Sequence, residues 1–405
     1  MLIPIEFVER DFAPSALLAE LLIKQFNCEC ILGPQTLLQR IAQNLKIEFV
    51  YFDKSLAGSK SHFVQNLSPS CIYVSSDAEY TGIVNGDYYL QTRFEDLHVE
   101  RASAILPATN EERRLLLSKY HDKCLDTVFP YRQLAHLKYS DLHSDEISVV
   151  KKKFGNFQLV VSNFGGHHRP GGFTELFQWS ESHFHNEDNK VRFREKTLKR
   201  EKLRIDFIEF IQNLAKKSPN INFILRPHPR ESLESWQFYN FPENVHISKK
   251  ESITTMLMCC DRLIHAGCTT AVEAWPMNKE ILFFKSRNTE QGVIDFYSRY
   301  ANLLHDFHEN YSRKVSPNSE KLYNDESLQK SISSLPDIFY KRTTEGIGGI
   351  ARTLKYFSVI RPSYKNNQGK FDQKKFFTYA NTLKELRKEL KLQVLKGENC
   401  LIMKK

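Results

Sequence analysis

Two short polar clusters in the second half of the chain carry residue types suited to an activated phosphate. The first is Arg226-Pro227-His228-Pro229; the second is His265-Ala266-Gly267-Cys268-Thr269-Thr270, with Glu273 a few residues on. A guanidinium and an imidazole neutralise phosphate oxygens, the guanidinium in bidentate fashion. A glycine turn leading into two hydroxyls on a first helical turn adds free backbone N–H groups and the positive end of a helix dipole. Glu273 falls one turn deeper on the face of Thr269, within reach of a sugar hydroxyl. These types together point to a nucleotide-sugar site. Each cluster also has a plainer use: Thr269 and Thr270 can cap a helix, and the Arg-Pro-His-Pro run can be a surface turn.

The elements that must position them read as a parallel sheet. Ile221–Leu225 is a short apolar run stopped by two prolines, hence a buried strand. Asn244–Ile247, Arg262–His265 and Lys279–Phe284 read as further strands, with helix-like segments between, one of them Ser252–Cys260. The order βαβαβαβ implies parallel strands with helices on both faces, and such sheets bind ligands beyond the carboxyl ends of their strands. Both polar clusters fall at such ends.

The first half repeats the pattern. Strands are expected at Leu2–Phe7, Cys28–Leu32, Ile47–Phe52, Cys71–Val74 and Ala102–Leu106, with helices at Ser15–Phe26, Gln35–Leu45 and Asn110–Tyr120. Acidic residues again follow strands: Glu6 with Glu9, Arg10 and Asp11, and Asp77 with Glu79. A carboxylate there can take the proton of an attacking hydroxyl, although exposed acids and helix caps are the commoner fate of such residues. In mid-chain, a strand at Phe157–Ser162 runs into a glycine-rich loop, Asn163 to Gly172, whose backbone suits close approach to a phosphate or sugar. His167 and His168 in that loop are acid–base or metal-ligand types, and equally ordinary polar loop residues. Trp179–Lys190 reads as an insertion or lid, Val191–Lys217 as a long charged helix, Gln291–Leu304 as helical, and Leu328–Tyr340 and Gly349–Phe357 as closing helices.

Composition limits the alternatives. The 405 residues are 41% hydrophobic and 26% charged, as in an ordinary globular protein of two domains. No run of about 20 apolar residues is present, and Glu6, Glu9 and Asp11 interrupt the N-terminal apolar stretch, so a secretory signal is not expected. The eight cysteines lack zinc or CxxC spacing and fit a reduced, cytoplasmic setting. Net charge is +9, yet residues 361–405 hold 12 of the 57 basic and only 4 of the 48 acidic residues. The rest is nearly neutral, which argues against a nucleic-acid binder. Lys370–Leu395 in that basic tail is amphipathic, suited to an anionic inner-membrane surface or, equally, to core packing or dimerisation.

The chain also resembles a family. Ile224-Leu225-Arg226-Pro227-His228-Pro229, the stretch His265 to Ala274, the opening Leu2-Ile3-Pro4-Ile5-Glu6 with Arg10, and Val161-Ser162-Asn163-Phe164-Gly165 are similar to bacterial surface carbohydrate biosynthesis proteins. The resemblance is patchy over roughly the first 285 residues. It implies an α/β, GT-B glycosyltransferase-like fold, with two Rossmann-like doubly wound domains facing a cleft and a C-terminal helical tail. The expected domains are 1–150 on the acceptor side, 151–345 for the nucleotide sugar, and 346–405 for helices and the basic tail. It implies donor contacts from Asn163, Arg226, His228, His265, Gly267, Cys268, Thr269, Thr270 and Glu273. It also implies a base from the first domain, from Asp77, Glu79 or Glu6. Tyr80 stands where relatives of the Asp77-Ala78-Glu79 motif carry glycine.

The implied activity is metal-independent transfer from a nucleotide-activated donor, with a CMP-linked sugar favoured by the His-Pro motif. The acceptor would be a polysaccharide or lipid-linked glycan, at the inner membrane if the tail binds there, and no cofactor beyond the donor is expected. A UDP-sugar 2-epimerase and a non-catalytic capsule-assembly protein remain open on the same scaffold.

Overall fold

A computed structural model describes residues 1–26, 28–57, 60–77, 86–108, 110–126, 139–164, 177–178, 180–181, 187–228, 231–268, 270–274, 277, 279–284, 286, 302–304, 372–395 and 400–404. The chain divides into two compact units, Met1–Leu142 with Glu320–Lys405, and His143–Ser319. Each unit is a Rossmann-like, doubly wound α/β sheet, as the alternating pattern predicts.

In the first unit the strands are β1 (Leu2–Ile5), β2 (Cys30–Pro34), β3 (Phe49–Asp53), β4 (Cys71–Ser75) and β5 (Ala104–Ile105). Their spatial order is β2-β1-β3-β4-β5, all parallel. Period-two alternation sends Ile3 and Ile5 into one apolar layer and Leu2 into the other, so β1 is covered on both faces. Helix α1 (Val8–Phe26) lies in the first layer, and α2 (Gln35–Asn44) in the second. Helix α1 begins well before Ser15 and runs through Pro14. The α3 (Ser61–Gln65), α4 (Gly86–Arg93), α5 (Asp96–Arg101) and α6 (Asn110–Tyr120) helices complete the unit, α6 as expected from its sequence.

The second unit opens with α7 (Ser144–Phe154), a helix the sequence reading did not resolve. Its apolar face, Val150 and Phe154, packs with Met256 and Leu257 of this unit's core. The units therefore divide at Leu142/His143, ahead of this helix, rather than at residue 150. Strands β6 (Phe157–Val161), β7 (Asn222–Arg226), β8 (Val245–Ile247), β9 (Arg262–His265), β10 (Glu280–Phe284) and β11 (Asn302–Leu304) follow, with helices α8 (Glu187–Lys217), α9 (Leu233–Gln237), α10 (Ile253–Cys259) and α11 (Thr270–Ala274). The sheet order is β11-β10-β9-β6-β7-β8, every pair parallel. Residues 302–304 thus form an edge strand where a helix was expected. Within Trp179–Lys190, read as an insertion or lid, α8 already begins at Glu187.

The basic tail differs from expectation past its first turns. Helix α12 (Gln373–Leu386) is capped by Asp372, whose side chain accepts from Lys375 N–H at 2.9 Å. Its apolar stripe, Phe376, Tyr379, Ala380 and Leu383, is buried in the first unit's core. Phe12 of α1 meets Phe376 edge-on at 5.4 Å and Tyr379 at 5.6 Å. The chain then leaves the helix and forms β12 (Lys391–Leu395) and β13 (Cys400–Lys404), an antiparallel pair that adds β13 to the edge of β2. The helix therefore ends at Leu386 rather than Leu395, because leucine and valine at alternate positions pair a strand there. The closing helices expected at 328–340 and 349–357, and residues 291–301, lie outside the described residues.

Because that apolar stripe is already covered, Phe376→Ala should act on stability. The expected loss is about 3–5 kcal/mol of unfolding free energy in urea, as for other large buried aromatics. Binding to anionic vesicles should not change, and a lipid-binding defect in a fully stable variant would contradict this packing.

Candidate functional site

The second unit has one place where the strand order reverses. From β6 the chain steps outward to β7 and β8, then crosses back to β9 on the other side of β6. A ligand crevice forms beyond the carboxyl ends of the strands at such a switch point. Register makes those ends level: Val161 of β6 pairs with Arg226 on one side and with His265 on the other. The two polar clusters, 39 residues apart at Arg226 and His265, therefore lie along one sheet edge with a single strand between them. Adjacent strands are about 4.8 Å apart, so the two clusters are separated by about 10 Å.

The loops leaving these strands are tied together by polar groups. Asn163, after β6, donates from Nδ2 to the Gly267 carbonyl at 2.6 Å, joining the switch-point strands. Gly267 has φ +97°, a left-handed conformation that a side chain would strain. Ser162 Oγ accepts from the His228 N–H at 3.0 Å and donates to Glu231 at 2.5 Å. Glu231 also accepts from the Phe164 N–H at 2.5 Å and from Trp236 Nε1 at 2.7 Å. Burial raises the Glu231 carboxyl above its ordinary range, opposed by those hydrogen bonds. This residue, absent from the sequence reading, fastens the loop after β6 to the loop after β7. Its only sequence signal is an acid just past a strand end, which many surface loops share.

His265 has a different role from the one expected. The ring is wholly buried, edge-on to Phe283 at 5.3 Å, and so lines no open surface. Its Nδ1 accepts from the backbone N–H of Gly267 at 3.3 Å and of Cys268 at 3.2 Å. Burial lowers its pKa to about 3, so the imidazole is neutral and shapes the glycine turn. Those two amides, expected to be free for a phosphate, are already used by this ring. Cys268 is buried with its Sγ 3.0 Å from Thr270 Oγ1, and Thr270 starts the short helix α11, also buried. Thr269 lies outside the described residues, as do His167, His168 and the glycine loop from residue 165.

What remains at the rim is Arg226, His228 and Glu273, each half-buried. Arg226 donates from Nη2 to the Glu251 carbonyl at 3.2 Å, which steadies the guanidinium. The edge thus carries a cation and an imidazole at the end of β7 and a carboxylate on α11, an arrangement fit for an anion with hydroxyls attached.

In the first unit the acids are placed unequally. Asp77 is buried, receives Arg93 Nε at 2.9 Å and Nη2 as well, and accepts from Tyr89 Oη at 3.0 Å. A carboxylate fully engaged in this way holds the α4 helix to the end of β4 and is ill placed to take a substrate proton. Behind it, the buried Glu112 carboxyl lies 2.9 Å from the same Tyr89 Oη and, when protonated, donates to it. Desolvation, with the Asp77 charge second, pushes the Glu112 carboxyl up to about 8. Glu79 lies outside the described residues. Glu6 follows β1, partly exposed, and pairs with Lys54 after β3 and with Arg10. Lys54 also reaches Asp11 at 3.3 Å, and burial lowers its pKa. Among the described residues no group of three or more His, Cys, Asp and Glu side chains could hold a metal ion.

No known family and no curated protein matches this sequence. Among solved structures, the chain is similar to the wall teichoic acid polymerase TagF, at 12% identity over 76% of this chain and 72% of that one, with TM-score 0.34. It is similar to UDP-GlcNAc 2-epimerase from Methanocaldococcus jannaschii, at 12% identity over 88% and 98%, with TM-score 0.48. A structure of S. aureus MnaA with UDP gives 12% identity over 87% and 97%, with TM-score 0.45. Such values say nothing of substrate or reaction, and the architecture rests on the strand orders above.

The neutral buried imidazole has a pH signature. A folded pKa near 3 against an ordinary 6.5 means the unfolded chain binds the extra proton first. Stability from this site is present above pH 6.5 and is lost as pH falls toward 3. His265→Asn keeps an acceptor for the two amides and should flatten that acid slope in urea unfolding of the second unit. For Asp77, Asp77→Asn should cost roughly 3–5 kcal/mol of first-unit stability, because it strands a largely buried guanidinium.

Proposed function

We propose that this chain is a glycosyltransferase that takes a sugar from a nucleotide-activated donor. The observation that carries the reading is the register of Arg226 and His265 on either side of Val161. It brings a cation, an imidazole and a carboxylate to the carboxyl ends of β7 and β9, the place where doubly wound sheets bind nucleotides. Arg226 and His228 neutralise the departing phosphate, whose charge grows as the glycosidic bond breaks. Glu273 accepts from a ribose or sugar hydroxyl. Asn163, Gly267 and His265 act one step back, holding the loop at the distance the donor needs. A CMP-linked donor and a lipid-linked or polysaccharide acceptor are the specific substrates we propose, in line with the His-Pro motif after β7. The acceptor would make the reaction dependent on membrane-derived glycan.

Thermal-shift measurements against CMP, CDP, UDP and GDP test the site. One nucleotide should raise the melting temperature well above the others, and Arg226→Ala and His228→Ala should each remove most of that rise without lowering the unliganded melting point. An unchanged shift in both variants would overturn the assignment. Nucleotide release that requires added membrane glycan supports transfer, whereas isomerisation of a UDP-sugar with no acceptor would mark an epimerase.

A further inference from the structure

A cluster of sulfur atoms lies at the other end of the first unit's sheet, at the amino ends of the parallel strands β1 and β2. Cys28 precedes β2 and Cys30 begins it, so their side chains share one face. Their Sγ atoms are 4.0 Å apart. Met1, just before β1, brings its Sδ to 3.9 Å from Cys28 Sγ. A fourth sulfur-bearing residue, Met403 of β13, stands directly opposite Cys30 in the antiparallel register. Opposed residues of a pair project to the same face. Cys28, Cys30 and Met403 are buried in a single apolar layer, and Met1 packs against it. Two of the chain's five methionines and two of its eight cysteines thus gather around one strand end.

From this geometry we infer a binding site for a soft, thiophilic monovalent cation, with Cu(I) the natural occupant, held by Cys28, Cys30 and Met1. Three sulfurs around a d10 ion in a trigonal plane, each about 2.3 Å from it, are themselves about 4.0 Å apart. The two separations present, 3.9 and 4.0 Å, already have that spacing. Thiolate and thioether ligands select Cu(I) over harder ions, and a thioether is a poor zinc ligand. The cluster belongs to the same apolar layer as Ala19, Ile23 and Phe26, with the Ala19 carbonyl 3.9 Å from Cys30 Sγ and the Met1 ammonium held by the Glu29 carbonyl at 2.6 Å. Cys28 keeps a little exposure while Cys30 has none, so the ion enters from the Met1 and Cys28 side. Binding releases the thiol protons to solvent and involves no change of oxidation state.

The test is an anaerobic titration of the reduced full-length chain into the coloured bis(bicinchoninate) complex of Cu(I). The expected result is loss of the colour up to one equivalent of copper per chain, with an X-ray absorption edge shell fitted by sulfur alone. Cys28→Ala, at the more open position, should abolish that endpoint while circular dichroism and melting temperature stay as in the parent. Cys259→Ala, in the other unit, should leave it in place. Cys30→Ser is a second probe if it folds. Failure of the parent chain to withdraw copper from bicinchoninate would overturn the inference. So would an unchanged one-equivalent endpoint in folded Cys28→Ala.

Discussion

The buried carboxylate of Glu231 is the constraint on which the second unit's ligand edge depends. Two donors from the loop after β6 and the indole of Trp236 converge on it, and a carboxylate removed from water requires such company. Because its partners follow β6 and its own position follows β7, neither loop can move without leaving a charge or a donor unsatisfied. The Asn163 link to Gly267 extends the same fastening across β9. The rim residues Arg226, at the end of β7, His228, on the loop after it, and Glu273, on α11, therefore flank loops that are tied together before any ligand arrives. Preorganisation of this kind lowers the cost of binding, since the ordering is done during folding.

Both units use the same device to different ends. In the second, a neutral imidazole is buried to shape a turn, and the charged groups are left at the rim. In the first, charge is buried in pairs: Asp77 with Arg93, and Lys54 among Glu6 and Asp11. Breaking a buried pair is costly even where the intact pair adds little, so these clusters specify local geometry more than they stabilise it. Glu112, protonated up to about pH 8 by desolvation and the nearby Asp77, completes a network that stays short of full ionisation at neutral pH. The pH dependence of the two units should then differ in sign. The His265 contribution grows from pH 3 to 6.5, whereas that of Glu112 declines from about 4.5 to 8.

Much of the fold was legible because its central strands are continuous apolar runs. Arg262–His265, Cys71–Ser75 and Phe157–Val161 are buried on both faces and bounded by polar or turn residues, so their type and near-ends could be read directly. Short amphipathic elements were harder. Helix α7 carries three lysines and four acids or serines around only two core residues, and its period is easily lost. The β12 strand alternates leucine and valine with polar residues over only four positions, which a helical reading of the preceding stretch absorbed. Side-chain direction was not legible at all. The types of His265 and Asp77 match a site, but only the fold shows that one faces Phe283 and the other is enclosed by Arg93 and Tyr89. Glu231 went unnoticed because an acid past a strand end has no distinguishing pattern.

The placement of β13 beside β2 makes the sheet that begins the chain depend on residues near 400 for its outer edge and for part of one core layer. During synthesis, the second unit has all its own strands in hand while the first still lacks β12, β13 and α12. The part translated first is thus the part completed last, and until then it exposes the apolar bed awaiting Phe376 and Tyr379. Chaperone capture of nascent chains, if it occurs, belongs on that vacant bed.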